Sequence, residues 1–282
     1  MTVKILTDSV ADLPSDVVEN MGIAVVPLLV RWGDRIYRDG IDLTNSEFYE
    51  RLKHSKIHPA TSVPSPRTFA DAYDRLADET DEILAVILSS RLSGTYEVAR
   101  QSVGLMQRKC RVEVIDSGWA AMAEGFMVMR AAQAARDGSN LEEVVEVLQK
   151  TSHRVDFLCT FDTLEYLKRG GRIGKAQALL GTILRMHPMI NLRNGVVEPA
   201  GKTRSRAKAI ERLFEFARRY AHIEEMAVED TACPGEAEAL VEQLGTIFPK
   251  ERILRSKMTP VIGTHTGPGL LVVTVLGDKH SP

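Results

Sequence analysis

In the first half of the chain, short apolar runs alternate with stretches whose apolar residues recur at helical spacing. Val3 to Leu6, Ala24 to Val30, Ile83 to Leu88 and Val112 to Ile115 have the length and composition of strands, with helical patterns between several of them. This rhythm predicts a mostly parallel α/β sheet. Helix starts agree with it. Thr44 with Glu47 makes a capping-box pattern, and Ser65-Pro66 supplies a cap and a first-turn proline ahead of Phe69 and Tyr73. Asn140 with Glu143 opens the apolar face Leu141, Val144, Val145, Leu148.

The second half reads differently. Met189 to Leu192 and Val196-Val197 flank Arg193 and the pair Asn194-Gly195, the strongest short hairpin signal, so antiparallel pairing is expected there. Helical faces follow at Ala207, Ile210, Phe214, Ala217 and at Ala237, Leu240, Val241, Leu244, with strands near Met226 to Val228, at Ile253 and from Leu271 to Leu276. The expectation is an N-terminal, mostly parallel α/β domain over residues 1–150 and a C-terminal α/β domain over residues 151–282 with a mixed or antiparallel sheet. No internal repeat or low-complexity linker marks the boundary, which rests on the change in connection type.

Composition narrows the function classes. The 282 residues are 44% hydrophobic and 26% charged, the balance of a globular protein. A net charge of −2 removes the global basic field of a dedicated nucleic-acid binder. The longest apolar runs, such as Leu270 to Leu276, fall far short of the roughly 18 residues that cross a bilayer. Asp8 interrupts the N-terminal run before a signal-peptide core can form, so a cytoplasmic protein is expected, with at most transient contact with a membrane surface. Cys110, Cys159 and Cys233 are scattered and odd in number, which suits neither a disulfide framework nor a CxxC site.

Four polar segments next to apolar strands are candidates for chemistry, because loops carried on a rigid sheet tend to bear function. The first is Thr61 to Pro66. The second is Ser89 to Thr95, directly after an apolar strand, where Ser93-Gly94-Thr95 opens a helix that would offer hydroxyls and N–H groups to an anion, or serves only as an N-cap. The third, Lys168 to Lys175, threads four cations with glycines that let the backbone approach a ligand closely; the alternative is a solvated break between helices. The fourth is Ile262 to Gly269, where His265 sits among hydroxyls and glycines that should leave its ring accessible to hold a carboxylate. A second basic run, Lys202 to Lys208, precedes a helix whose dipole it opposes unless an anion or acidic partner sits there. No Walker loop, no GxGxxG after a strand, and no HExxH or paired-histidine metal site occurs, so neither nucleotide nor metal binding is expected. Ser93, His265 and Asp116 can be drawn as a hydrolytic triad, giving a serine-dependent acyl hydrolase as the alternative function, although Ser93 lacks the GxSxG elbow. A phosphate or nucleic-acid binder using the two basic runs is a third option.

Taken in order, Thr7 to Pro14, Tyr37-Arg38-Asp39-Gly40, Thr61-Ser62 with Pro64-Ser65-Pro66, and Ser89-Ser90 with Leu92 to Thr95 form a familiar series. Val114 to Ser117, Leu164 to Leu167 running into Gly170 to Ile173, and Gly263 to Gly269 complete it. Together they resemble the DegV family, the bacterial fatty-acid-binding proteins of the FakB type, over essentially the whole chain. The resemblance implies two α/β domains with one long-chain fatty acid between them, its chain in a buried tunnel. Ser93 and Thr61 would hydrogen-bond the carboxylate and His265 would complete the network, with Gly94, Thr95 and Thr266 beside it. It further implies a separate fatty acid kinase subunit, supplying ATP and magnesium, that phosphorylates the carboxylate to an acyl phosphate for phospholipid synthesis. On that implication the chain is not itself an enzyme. Arg172 matches an arginine associated with phosphotransfer, and Arg204 is a candidate for contacting the kinase or the phosphate.

Overall fold

The structure is a computed structural model and describes residues 2–180 and 186–280. In chain order the strands are β1 (Lys4–Asp8), β2 (Ala24–Val26), β3 (Leu29–Trp32), β4 (Arg35–Arg38), β5 (Ala60–Ser62), β6 (Glu82–Ile87), β7 (Arg111–Asp116), β8 (Val155–Thr160), β9 (His187–Arg193), β10 (Val196–Thr203), β11 (Tyr220–Asp230), β12 (Ile253–Lys257) and β13 (Leu271–Lys279). The helices are α1 (Ser15–Met21), α2 (Asn45–His54), α3 (Pro66–Ala77), α4 (Thr95–Ser102), α5 (Met122–Arg136), α6 (Leu141–Ser152), α7 (Glu165–Arg169), α8 (Arg206–Ala217), α9 (Pro234–Leu244) and α10 (Pro260–Thr266).

The N-terminal strands make a parallel four-stranded sheet in the order β2-β1-β6-β7, as the alternation of runs and helices predicts. The C-terminal region carries a mixed six-stranded sheet, β10-β9-β8-β13-β11-β12, antiparallel throughout except for β11 against β12. The β9–β10 hairpin turns on Asn194 and Gly195, whose φ values of 51° and 74° are those the Asn-Gly pair anticipates. Both capping boxes form: the side chains of Thr44 and Asn140 accept from the backbone N–H groups of Glu47 and Glu143, and Ser65 caps α3.

One run divides where a single strand is expected. Ala24 to Val30 splits at Pro27, which has no N–H for a ladder, and the chain leaves the parallel sheet to enter a separate antiparallel sheet, β4-β3-β5. The segment Ile262 to Gly269, expected as a loop, instead lies largely within α10.

Helix α5 lies between the two larger sheets, touching β1 and β6 on one side and β8, β11 and β13 on the other. Its residues from Met122 to Val128 are all buried, which is why the helix is apolar or small nearly all round. Gly125 is required by that packing, since a Cβ would stand 2.7 Å from the Ala11 carbonyl oxygen. Helices α8 and α9 cover the outer face of the mixed sheet, and α3 and α4 the outer face of the parallel one. Among the described residues, no helix is long and apolar enough to cross a membrane.

Candidate functional site

Helix α10 carries His265, and distant carboxylates determine where it begins. The side chain of Thr259 makes no cap; instead Asp12 Oδ1 accepts from Thr259 N at 3.1 Å and Asp39 Oδ1 accepts from Val261 N at 3.1 Å. Ser9 Oγ donates to the other oxygen of Asp39 at 2.7 Å. Negative groups suit the positive end of a helix, but burial raises the Asp39 carboxyl to about 6 and the Asp12 carboxyl well above its ordinary value. Asp8 does the same for the segment after β6. It accepts from Val10 N and from Leu88 N, both at 2.9 Å, and burial pushes its carboxyl up to about 7. The motifs Thr7 to Pro14 and Asp39-Gly40 thus seat the loop and helix that carry the candidate residues.

Thr61, on β5, brings its Oγ1 to 2.8 Å from His265 Nε2. The imidazole is not the accessible ring that its glycine-rich surroundings suggest. Its Nδ1 is buried without a partner among the described residues, and burial, reinforced by the charges of Arg172 and His58, lowers its pKa to about 4. The ring is therefore neutral near pH 7. The buried edge lies against Gly170, where a Cβ would come within 2.1 Å of Nδ1. Close backbone approach, the reading of this glycine pair, is used here against a side chain. Arg172 is anchored by two carbonyls, Nε donating to Leu92 O at 3.0 Å and Nη1 to Gly170 O at 2.7 Å.

Ser93 stands next to Leu92, and its Oγ lies 2.8 Å from Thr95 Oγ1 while accepting from Thr95 N at 3.3 Å. Gly94 is the N-cap of α4. A cavity with an empty volume of about 830 Å³, its open mouth included, is bordered by Thr61, Ser93, Arg172, His265 and Thr266; Gly94 and Thr95 are not in its lining. Thr266 lines it, but its hydroxyl donates to Ile262 O at 2.9 Å within its own helix. Arg204 is exposed in the loop between β10 and α8, away from that lining. The basic run around it meets an acidic partner: Arg206 Nη2 lies 2.7 Å from Glu236, and Asp162 is 3.7 Å from Nη1. Arg206, at the start of α8, is the cation of that run that this acidic pair offsets.

The triad does not assemble. Ser93 and His265 are each bonded elsewhere, and Asp116 Oδ1 accepts from Ser90 N and Gly118 N. An imidazole with a pKa near 4 is also a poor general base at neutral pH. The hydrolase alternative has no support in this geometry. Among the described residues, no group of three or more His, Cys, Asp or Glu side chains gathers to hold a metal ion.

Away from its polar end the cavity is apolar. Phe157 and Cys159 on β8, with Phe161 just beyond its end, alternate and line it together with Ile190, Leu192 and Val272, while Val10, Leu28 and Leu88 close it from the parallel-sheet side. An apolar wall with a few convergent polar groups at one end is the make-up of small-molecule sites. Ala121, also in the lining, has φ 58° and ψ −155°, a backbone region that essentially only glycine occupies, so the peptide is strained where it borders the space.

A family model described as an uncharacterised protein, DegV family, matches residues 2–278. The chain belongs to the DegV family. A DegV domain-containing protein of Streptomyces coelicolor is 40% identical over 278 residues, covering 97% of this chain and 98% of the relative. Among solved structures, a DegV family protein from Thermus thermophilus described by its fatty acid binding superposes with a TM-score of 0.90 at 34% identity, over 98% of this chain and all of that one. The DegV of Bacillus subtilis, described as a fatty acid binding protein, gives 0.88 at 30% identity over 98% of this chain and 99% of the other. The parallel and mixed sheets are thus the DegV architecture. Sequence reasoning missed the apolar lining, because residues around a cavity obey the same period-two pattern as residues in a filled core. It also missed Asp12 and Asp39, whose partners lie more than 200 positions away.

Proposed function

We propose that this DegV protein binds one long-chain fatty acid, its chain in the apolar cavity and its carboxylate among Thr61, Ser93 and His265. The observation that carries the reading is the apolar cavity with hydroxyls and a neutral imidazole at one end, in a chain whose relatives are described as fatty acid binding. The imidazole tautomer with its proton on Nε2 donates to Thr61 Oγ1 and leaves the threonine hydroxyl proton for the carboxylate. Burying about fourteen methylenes at about 0.8 kcal/mol each offers roughly 11 kcal/mol before association costs. Each hydrogen bond to the carboxylate contributes only about 1.5–3 kcal/mol, so the chain supplies affinity and the polar end supplies orientation. Residues 1–150 and 151–282 act in this reading as two domains with the ligand between them.

The finer reading is that the protein presents this carboxylate to a separate kinase subunit and does not itself catalyse. A carboxylate oxygen attacks the γ-phosphorus of ATP held with magnesium by that partner, the bond to the β-phosphate oxygen breaks, and ADP leaves an acyl phosphate. Such a transfer needs positioning and positive charge around the phosphoryl oxygens. Arg172, anchored through Nε and Nη1, is suited to that work with its remaining donors, and exposed Arg204 to contact with the kinase. The cytoplasm, where ATP is available, is where it would act. Native mass spectrometry of protein purified from bacteria tests the first reading: a fatty-acid-sized adduct is expected, and an empty chain under conditions that retain apolar ligands overturns it. Arg172→Ala tests the second, since it should keep the lipid and lose acyl phosphate formation when kinase and ATP are added; undiminished acyl phosphate refutes the role.

A further inference from the structure

The cavity has a direction. Cys159 and Phe157 follow one another on one face of β8, with Phe161 one residue past its end, and Ile190 lies beside Cys159 in register with Leu192 two residues beyond it. β13 begins shortly after α10, with Leu271 opposite Thr160 and Thr274 opposite Phe157. Phe161 therefore stands toward the His265 end and Phe157 away from it, about 13 Å further at about 3.3 Å per strand residue.

At that far end the wall is thin. The ring of Trp119 packs edge-on against Phe157, centroids 6.0 Å apart at 61°. Trp119 and Leu192 also border a second, polar depression, together with His153, Arg154, Asp156, Arg193 and Lys279. In it Asp156 Oδ2 holds Lys279 at 2.8 Å and Arg193 at 3.0 Å. The Trp119 backbone is held in place, its N–H donating to Ser117 Oγ at 3.0 Å and its carbonyl accepting from Ser89 N at 2.8 Å. Leu192 borders both spaces and Trp119 lies behind Phe157, so one or two side chains separate an apolar interior from an ion-paired depression, and a methyl terminus forced past them would desolvate charges.

We propose that Phe157 and Leu192, with Trp119 backing Phe157, form the stop that sets the longest acyl chain this protein accommodates. This rests on the fatty acid reading above and adds a specificity-determining residue to it. Each methylene that finds apolar space should tighten binding about fourfold, from about 0.8 kcal/mol per methylene. The gain should cease at the chain length whose terminus meets Phe157 and Leu192.

The test is a homologous series of saturated fatty acids titrated against wild-type protein, Trp119→Ala and Trp119→Phe, with thermal unfolding run in parallel. Trp119 is partly buried and packs against the core at Phe157, so the parallel unfolding separates a loss of stability from a shift of the break. Wild type should show a break in affinity against length. Trp119→Ala should move that break to longer chains, and Trp119→Phe should leave it nearly in place. A break that does not move in Trp119→Ala overturns the stop while leaving the fatty acid reading standing. A wild type that binds no member of the series overturns both.

Discussion

Gly170 is where one added methyl group separates a head-group effect from a backbone effect. Its φ of −74° is an ordinary right-handed value, so alanine there incurs no conformational penalty. The new Cβ would stand 2.1 Å from His265 Nδ1 and 2.9 Å from Cε1, closer than non-bonded atoms approach. The imidazole must yield, yet its other edge is held by Thr61 at 2.8 Å. Overpacking of this kind costs about 1–3 kcal/mol, and losing the Thr61 contact adds about 0.5–1.5 kcal/mol. Arg172 is disturbed as well, because Nη1 donates to the carbonyl of this same glycine. The neighbour is the control. Gly171 has φ +71°, and a methyl group there would meet nothing within 4 Å, so alanine costs only the left-handed penalty of about 1–2 kcal/mol. Urea unfolding should show both variants destabilised. Fatty acid titration should show Gly170→Ala weakened about tenfold or more, corresponding to about 1.4 kcal/mol, and Gly171→Ala close to wild type. Equal affinities for Gly170→Ala and wild type would refute the claim that this glycine exists to admit the imidazole.

Two further outcomes test the interior. Glu124 is fully buried, with Oε1 accepting from Thr7 Oγ1 at 3.2 Å and Oε2 unpartnered among the described residues, and burial followed by the charge of Asp8 raises its pKa well above the ordinary value. A raised carboxyl pKa contributes stability that is complete below the unfolded pKa and is lost as pH rises toward the folded one. Glu124→Gln cannot titrate, so its stability advantage over wild type should grow with pH by at most about 1.4 kcal/mol per unit, read by denaturant unfolding at acidic and mildly alkaline pH; a constant difference contradicts the assignment. Ala121→Gly should relieve the strained backbone at φ 58° and raise stability by up to about 1 kcal/mol, and a lowered unfolding midpoint would show that the strain is fully compensated.

Local interactions were legible because they involve residues a few positions apart. The turn at Asn194-Gly195 and the caps at Thr44, Ser65 and Asn140 are contacts that can be drawn from the chain without any fold. The strands of the parallel sheet follow from their apolar runs for the same reason. Helix α10 could not be read this way. It is a short segment containing Gly263 and two threonines, poor helix formers, and the groups that cap its start belong to Asp12 and Asp39. His265 was recognisable as a candidate by its neighbours, but its neutrality arises from burial against Gly170 and from the nearby charges of Arg172 and His58.

The amino-acid order by itself determined most of the element types, the change from parallel to antiparallel pairing, and Thr61, Ser93, Arg172 and His265 as candidates that border one cavity. Only the tertiary structure decided that Phe157, Cys159 and Leu192 surround a space instead of filling it. Alternation along a strand says which side chains turn inward, but whether they meet depends on how far apart α5 and the facing strands hold the sheets, a distance no local pattern encodes.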